Sequence, residues 1–489
     1  MLVRPSSVTG SGVVAAGDRM TEPTYVSWTL ERYQHALHNL ARLRRAYLVV
    51  ILLSWALVAI IYWFGSHWTA STNLWWYTSP DFWWIPVAWL LSVPSFLVAG
   101  WGYFVGTSTE PFAPLAPAHR KTSDVVFQVT TLGTEPDTVA NTVASVQYWL
   151  GRHPEVSFRA HIWIVTEPKG YATNKAKFDT IGLTGARIVV VPADLVTPNR
   201  STKKARALYY ANQLRATVFP DQEHVWVYHH DDETALGEDA ILGIEEFVRV
   251  HRDERSVGYG IILYDQNFSW RPAQVQELTR TTTDLAMLRF VGRTDNLTGM
   301  YHGSHYLVRG DVEDDFGWDT GVGTISDDLL FDVGAHYLGA KFYMLHGLAH
   351  EQAALTVWDQ MKQRRRWIQE ALGVYFGKKM PTARRFTAVY FYCLWFIAGA
   401  TLPLMVLTLW FHIGTFLTAA FMGFIWASML TSYHRSWTLH KAYVDRRWTN
   451  TAITRGIAGA IADSFAPWYA VFTRRPRHFI VVKKDVPHG

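Results

Sequence analysis

Apolar positions follow two patterns along this chain. Between about residues 120 and 380, short apolar runs alternate with stretches of helical spacing, while long uncharged runs lie on either side. In the middle, Val125 to Thr131 is β-rich and Asp137 to Leu150 has helical spacing. His161 to Thr166 and Arg187 to Val191 read as further strands, Lys203 to Phe219 as a helix and His224 to Tyr228 as a fourth strand. Strand and helix in alternation predict an α/β domain with a largely parallel sheet. In such a sheet ligands bind beyond the carboxyl ends of the strands.

The outer runs are Ala46 to Phe64, Phe82 to Val105, Thr387 to Phe411 and Ile413 to Thr431. Each has about 20 residues or more, enough to cross a hydrocarbon core, and each is apolar on every face, which a soluble core helix rarely is. The pattern therefore predicts about four transmembrane helices. Arg42, Arg44, Arg45, Lys378, Lys379, Arg384, Arg385, Arg435, Lys441, Arg446 and Arg447 flank these runs, and the loop Gly65 to Asp81 has no Lys or Arg. Positive charge stays inside, so the central domain is expected on the cytoplasmic side of a bacterial-type plasma membrane. Ile453 to Phe472 carries Arg455, Asp463 and Pro467, which are unfavourable in lipid, and is expected to be interfacial. The expected organisation is a disordered, cytoplasmic segment 1–45, two spans in 46–105, a domain over 120–380, two spans in 387–431 and a basic interfacial region 432–489.

Composition narrows the chemistry. The formal net charge of +5 does not point to nucleic acid, because the basic residues gather at the edges of the apolar runs. Cys393 is the only cysteine and lies in an apolar run, which excludes an internal disulfide and a cysteine metal site.

Candidate chemistry sits at the predicted strand ends. His229-His230-Asp231-Asp232-Glu233 follows the fourth strand. Asp231, Asp232 and Glu233 offer hard oxygen ligands suited to Mg²⁺ or Mn²⁺ bridging to phosphates; the plainer reading is an acidic turn capping a helix that starts at Glu233-Thr234. His229 and His230 are neighbours, so at most one lines a site. Lys203, Lys204 and Arg206 open a helix, where they are either solvated or directed at a diphosphate. Asp327 and Asp328 precede an apolar helix and either favour its dipole or supply a general base. Gln363-Arg364-Arg365-Arg366-Trp367 stands 35 residues after Asp328. Gln363, Arg366 and Trp367 are assigned to the site, and Arg364 and Arg365 to lipid headgroups.

Taken in order, Thr130-Thr131-Leu132-Gly133, Lys204 to Leu208, His230 to Thr234, Gly303-Ser304, Ser326-Asp327-Asp328 and Gln363 to Trp367 resemble the motifs of inverting family 2 membrane glycosyltransferases. The resemblance covers residues 120–375 and is narrower still to the egghead group of β-1,4-mannosyltransferases. It implies a GT-A fold, a mostly parallel sheet with flanking helices. Asp328 would be the catalytic base. Thr131, Gly133, Lys204, Arg206, Asp231, Asp232, Gln363 and Arg366 would bind the donor. Gly303, Ser304, Asp327 and Trp367 would meet the acceptor, and Asp231 and Glu233 would hold Mg²⁺ or Mn²⁺. The implied reaction is metal-dependent inverting transfer of a hexose from a nucleotide sugar to a membrane glycolipid at the bilayer, with mannose from GDP-mannose favoured over a UDP-sugar. Two departures stand out: Asp327 where the family commonly has Glu, and Asp-Asp-Glu where Asp-x-Asp is common. A processive polysaccharide synthase of the cellulose or hyaluronan type, and a non-catalytic lipid-binding or transport protein with a transferase fold, are the alternatives.

Overall fold

A computed structural model describes residues 23–43, 45–50, 52–53, 56–57, 60, 120–294, 302–319, 321, 327–375, 431–444 and 451–473. After a short 3-10 turn comes α1 (Leu30–Arg42), capped by the Thr29 hydroxyl, which accepts from Arg32 N at 3.4 Å. Its buried residues Tyr33, Ala36, Leu37 and Leu40 recur at helical spacing and enter the main core beside Val257, Tyr259 and Val308. The expectation of disorder through residue 45 is therefore corrected for this segment: one face of α1 is apolar and has a core to fill.

The central domain then runs β1 (Ser123–Thr131), α2 (Pro136–Arg152), β2 (Phe158–Thr166), α3 (Pro168–Thr173), α4 (Lys175–Leu183), β3 (Arg187–Val190), α5 (Lys203–Val218), β4 (Val225–Asp231), β5 (Ala235–Leu236) and α6 (Glu238–Val250). It continues with β6 (Ser256–Leu263), α7 (Pro272–Thr294), β7 (Tyr306–Arg309), α8 (Gly310–Phe316), α9 (Asp327–Tyr337), β8 (Lys341–His350) and α10 (Val357–Tyr375). Past a further helical stretch at 431–440, α11 (Thr451–Phe472) is the last described element.

Eight strands form one sheet in the order β3-β2-β1-β4-β7-β6-β8-β5. The half up to β4 is parallel, as the alternation of strands and helices predicts. Beyond it the sheet is mixed: β7 runs antiparallel to both β4 and β6, β5 is antiparallel to β8, and β6 and β8 are parallel. The expected mostly parallel sheet is thus corrected to a mixed one. The four-residue β7, inserted between β4 and β6, reverses the direction. β1 and β4 are buried on both faces nearly throughout, which explains their continuous apolar sequence.

The expectation of membrane-crossing helices is also corrected. Among the described residues no helix is long and apolar enough to cross a membrane. Runs 82–105 and 387–430 lie outside the described residues, and 46–64 is described only in part. The longest apolar helix that is described, α11, carries Asp463, whose Oδ1 accepts from Arg364 Nε at 2.8 Å. Gln369 Nε2 donates to Ala470 O at 2.7 Å, and Ile368 packs against Ala466 and Ala470. α11 is therefore part of the domain's packing, joined to α10.

Candidate active site

β1 and β4 run parallel and end side by side, with Thr130 opposite Asp231. The turn after β4 therefore sits against the turn after β1. Thr131 Oγ1 donates to Asp232 Oδ2 at 2.7 Å and accepts from Gly133 N at 3.0 Å. Gly133 has φ +78°, and a Cβ there would come within 2.6 Å of Thr166 Oγ1 and 2.9 Å of Gly170 backbone. Only glycine lets the chain turn this sharply past β2. On the far side, Thr142 Oγ1 of α2 donates to Asp232 O at 2.8 Å. Asp232 thus anchors the turn and leaves Asp231 facing outward, 39% exposed.

The acidic motif differs from its sequence reading in one respect. Asp231 is the last residue of β4, a turn follows, and the helix begins only at Glu238. Strand alternation sends His229 and His230 to opposite faces. His229 Nε2 lies 2.8 Å from Glu313 Oε1 and its ring stacks on Tyr306, whereas His230 Nδ1 is 3.4 Å from Thr234 O. Burial pushes His230 down to about 3, so it stays neutral.

Lys204 reaches from the first turn of α5 into this group. Its Nζ donates to Asp231 Oδ1 at 2.6 Å and to Gly303 O at 2.9 Å. Gly303 also faces Asp328: a Cβ there would lie 3.1 Å from Asp328 Oδ2 and 3.1 Å from Lys204 Nζ. Lys204, Asp231, Gly303 and Asp328, drawn from four separate segments, therefore meet at one point. Burial raises the Asp328 carboxyl above the usual aspartate range, a shift that the nearby Lys204 ammonium opposes and the Asp231 charge assists. Asp328 Oδ1 accepts from Leu329 N at 2.9 Å, which fixes the carboxyl at the start of α9. Asp327 is the first residue of that helix, but its side chain lies outside the described residues, as does Ser326.

Beside this point lies a cavity of about 830 Å³, lined by Gly133, Glu167, Lys169, Arg200, Lys203 and Arg206 among others. Arg206 is paired with Glu167 across it. Arg200 and Lys203 hold φ of +60° and +55°, and His305, next to Ser304, holds +55°. Left-handed backbone at residues other than glycine is strained and gathers at functional sites.

The Gln363-to-Trp367 box lies on α10. Gln363, Arg366 and Trp367 are half-buried and fall three and four residues apart, hence on one side of the helix. Arg280 of α7 lies over the Trp367 ring at 4.8 Å and Arg364 at 4.3 Å. Arg364 does not face headgroups. It is buried, with Nη2 on Glu277 Oε1 at 2.6 Å and Nε on Asp463. Arg365 turns to Tyr469 of α11. These contacts of the box run to α7 and α11. From Trp367, charged groups lead toward the Lys204–Asp231 group: Arg280, then half-buried Asp284, which feels the Arg280 charge and whose Oδ2 is 3.6 Å from His302 Nε2.

Sequence reasoning missed Glu351, which follows β8. Its Oε1 accepts from Thr234 Oγ1 and Ser304 Oγ, each at 2.7 Å. Its place just after an apolar strand is shared with many solvated acids, and the partners that give it meaning lie in distant segments.

The donor set fits a divalent cation of one kind. Among the described residues, no three His, Cys, Asp or Glu side chains gather as a ligand cage. Asp232 is engaged by Thr131, and Asp231 already meets a cation in Lys204. One or two carboxylates with phosphate and water completing the shell is how Mg²⁺ is usually held, and Asp231, 39% exposed at the strand end, would supply one.

Residues 226–435 match the sequence profile described as Glycosyl transferase family group 2. Over that stretch the chain is similar to family 2 glycosyltransferases. It is 30% identical over 224 residues to Beta-1,4-mannosyltransferase bre-3 of Caenorhabditis elegans, an alignment covering 45% of this chain and 47% of the relative. It is 28% identical over 198 residues to Beta-1,4-mannosyltransferase egh of Drosophila melanogaster, covering 40% and 42%. The chain thus spans about half the length of the curated relatives it matches. A crystal structure of S. aureus TarS 1-349 in complex with UDP-GlcNAc aligns with 75% of this chain and 97% of its own at 14% identity, with a TM-score of 0.33, too loose a superposition to bear on function.

Proposed function

We propose that this protein is an inverting glycosyltransferase that moves mannose from a nucleotide diphosphate sugar, GDP-mannose, to a hydroxyl of a glycolipid, forming a β-linkage. The observation that carries this reading is the meeting of Lys204, Asp231, Gly303 and Asp328 beside the cavity lined by Gly133 and Arg206. The β-1,4-mannosyltransferase relatives support the choice of sugar and linkage.

In this reading the nucleotide occupies the cavity, and its diphosphate lies toward Lys204 and the acidic turn. A lysine ammonium there neutralises charge that grows on the diphosphate as it leaves. Asp328, as carboxylate, takes the proton of the acceptor hydroxyl. The hydroxyl oxygen bonds to the anomeric carbon while the bond to the diphosphate breaks on the opposite face, and the proton remains on Asp328. Mg²⁺ or Mn²⁺ held by Asp231 and Glu233 would add positive charge beside the phosphates when bound. Gly303 lets its backbone approach Asp328 and Lys204 closely, where a methyl would crowd both.

The test is nucleotide release across GDP- and UDP-sugars with a lipid extract, followed by mass spectrometry of the lipid. Release of GDP from GDP-mannose, dependent on divalent cation, with one hexose added to a lipid, is expected. Release from UDP-sugars alone would overturn the donor, and a long polysaccharide product would overturn the acceptor.

A further inference from the structure

Glu351 lies at the junction of three chain segments. It is 6% exposed, Ser304 is 2% and Thr234 is 0%. Glu351 Oε1 is 2.7 Å from both hydroxyls, and the two hydroxyls are 2.7 Å from each other. Three oxygens therefore form a closed triangle. Thr234 follows the acidic turn and Ser304 follows Gly303. Glu351 opens the connection from β8 to α10, the helix of the Gln363-to-Trp367 box.

Proton counting says more. Two hydroxyls bring two protons to three oxygen contacts, and each contact needs one. With an ionised carboxylate, both hydroxyls donate to Oε1 and then oppose lone pairs across the third side. A proton on the carboxyl completes the ring, with each oxygen donating once and accepting once. Burial and the Asp231 charge both raise the Glu351 carboxyl, in the same sense as the geometry.

The neighbouring contacts show what the triangle holds. The 302–304 segment is gripped by Lys204 at Gly303 O and by the His302 ring, whose Nδ1 lies 2.7 Å from Ser304 O. Glu351 adds the third grip, through the Ser304 hydroxyl, and ties it to Thr234 at the end of the turn that bears Asp231.

We propose that Glu351 is a positioning residue for the transfer reaction, fixing the Asp231 turn against the Gly303 segment that faces Asp328. The proposal rests on the glycosyltransferase reading of this site. Because Glu351 acts by holding two segments in register, its removal should misplace the acceptor relative to the donor. A misplacement of about 1 Å can lower a rate by about a hundredfold.

The experiment compares wild type, Glu351→Ala, Glu351→Gln and Thr234→Ala for kcat, donor KM and melting temperature with GDP-mannose and the lipid acceptor. Glu351→Ala is expected to lower kcat about a hundredfold with donor KM little changed. Gln keeps an acceptor oxygen and supplies a donor, so Glu351→Gln is expected to recover most of that loss, to within about tenfold of wild type. Thr234→Ala is expected to lower kcat in the same direction by less, which keeps the test decisive if Glu351→Ala does not fold. A kcat for Glu351→Ala or Thr234→Ala equal to wild type would overturn the proposal. So would Glu351→Gln as slow as Glu351→Ala, since a charged carboxylate would then be what matters. No transfer by wild type from any nucleotide sugar would instead overturn the functional reading itself.

Discussion

Lys204 Nζ donates to Asp231 Oδ1 at 2.6 Å, so the first turn of α5 is tied to the carboxyl end of β4 by one charged hydrogen bond. The same ammonium holds Gly303 O, so it spans the gap between the acidic turn and the segment facing Asp328. A hydrogen bond to a charged group contributes about 1.5–3 kcal/mol. Lys204→Ala is therefore expected to raise donor KM about tenfold or more, and steady-state kinetics with the sugar nucleotide check it. An unchanged KM would remove Lys204 from the donor contacts.

Asp328→Asn is expected to lower kcat by about 10²–10⁴-fold, the usual worth of a general base, with donor affinity by calorimetry nearly unchanged. The pH profile carries a second expectation. Asp328 must be ionised to take a proton, and burial raises its folded value. Activity should then fall with acidification at a pH above the usual aspartate range. An acid limb at or below that range would contradict the assignment.

Gly303→Ala places a methyl 3.1 Å from both Asp328 Oδ2 and Lys204 Nζ. Both atoms end side chains and can give way, so the fold should survive while kcat drops. Gly133→Ala differs, because its Cβ would meet fixed backbone at 2.9 Å and its φ is +78°. Melting curves should show a marked loss of stability for Gly133→Ala and little for Gly303→Ala; equal melting temperatures would refute the distinction.

Arg364 and Arg365 should behave unlike each other. Arg364→Ala leaves Glu277 buried without its strongest partner and Asp463 without its guanidinium. Breaking a buried pair in this way costs about 3–5 kcal/mol. Arg365 meets Tyr469 and is half-buried, so Arg365→Ala should change stability by less than about 1 kcal/mol. Chemical unfolding without lipid distinguishes them.

Glu313 supplies a pH test of the core. Burial pushes its carboxyl up, but Arg215 and His229 outweigh that and bring it to about 2. A lowered folded value contributes stability above the unfolded glutamate range, lost as pH falls through the folded value. The stability gap between wild type and Glu313→Gln should therefore narrow from the ordinary value of 4.5 down toward about 2. Urea unfolding at stepped pH measures it, and a gap that widens on acidification would be the wrong sign.

β1, α2, α5 and β4 were readable because each has a clear period and turn residues at its ends. β5 and β7 have two and four residues, too few for any period to show. β6 contains Gly258 and Gly260, residues that weaken a strand pattern. Here they are demanded by contact, since a Cβ at Gly258 would strike Phe247 and one at Gly260 would strike His305. Asp231 and Asp232 were recognisable by their place at a strand end, and Lys204 and Asp328 by theirs at helix starts. Glu351 was not, because its meaning depends on partners 47 and 117 residues away. Arg364 was misread for the same reason, since Glu277 and Asp463 lie 87 and 99 residues from it.

α1 has a consequence for the order of assembly. Leu37 and Leu40 share a core with Val257, Tyr259 and Val308, strands made more than 200 residues later. Trp28 stacks on His350 with ring centres 3.7 Å apart, and Trp28 O accepts from Glu238 N at 2.9 Å. During synthesis at about 5–20 residues per second, the helix must wait roughly 10–60 seconds for the surface that receives it. Its apolar face is a handle offered early to chaperones or to the nascent chain's surroundings. Strands made later then close around a helix made before them.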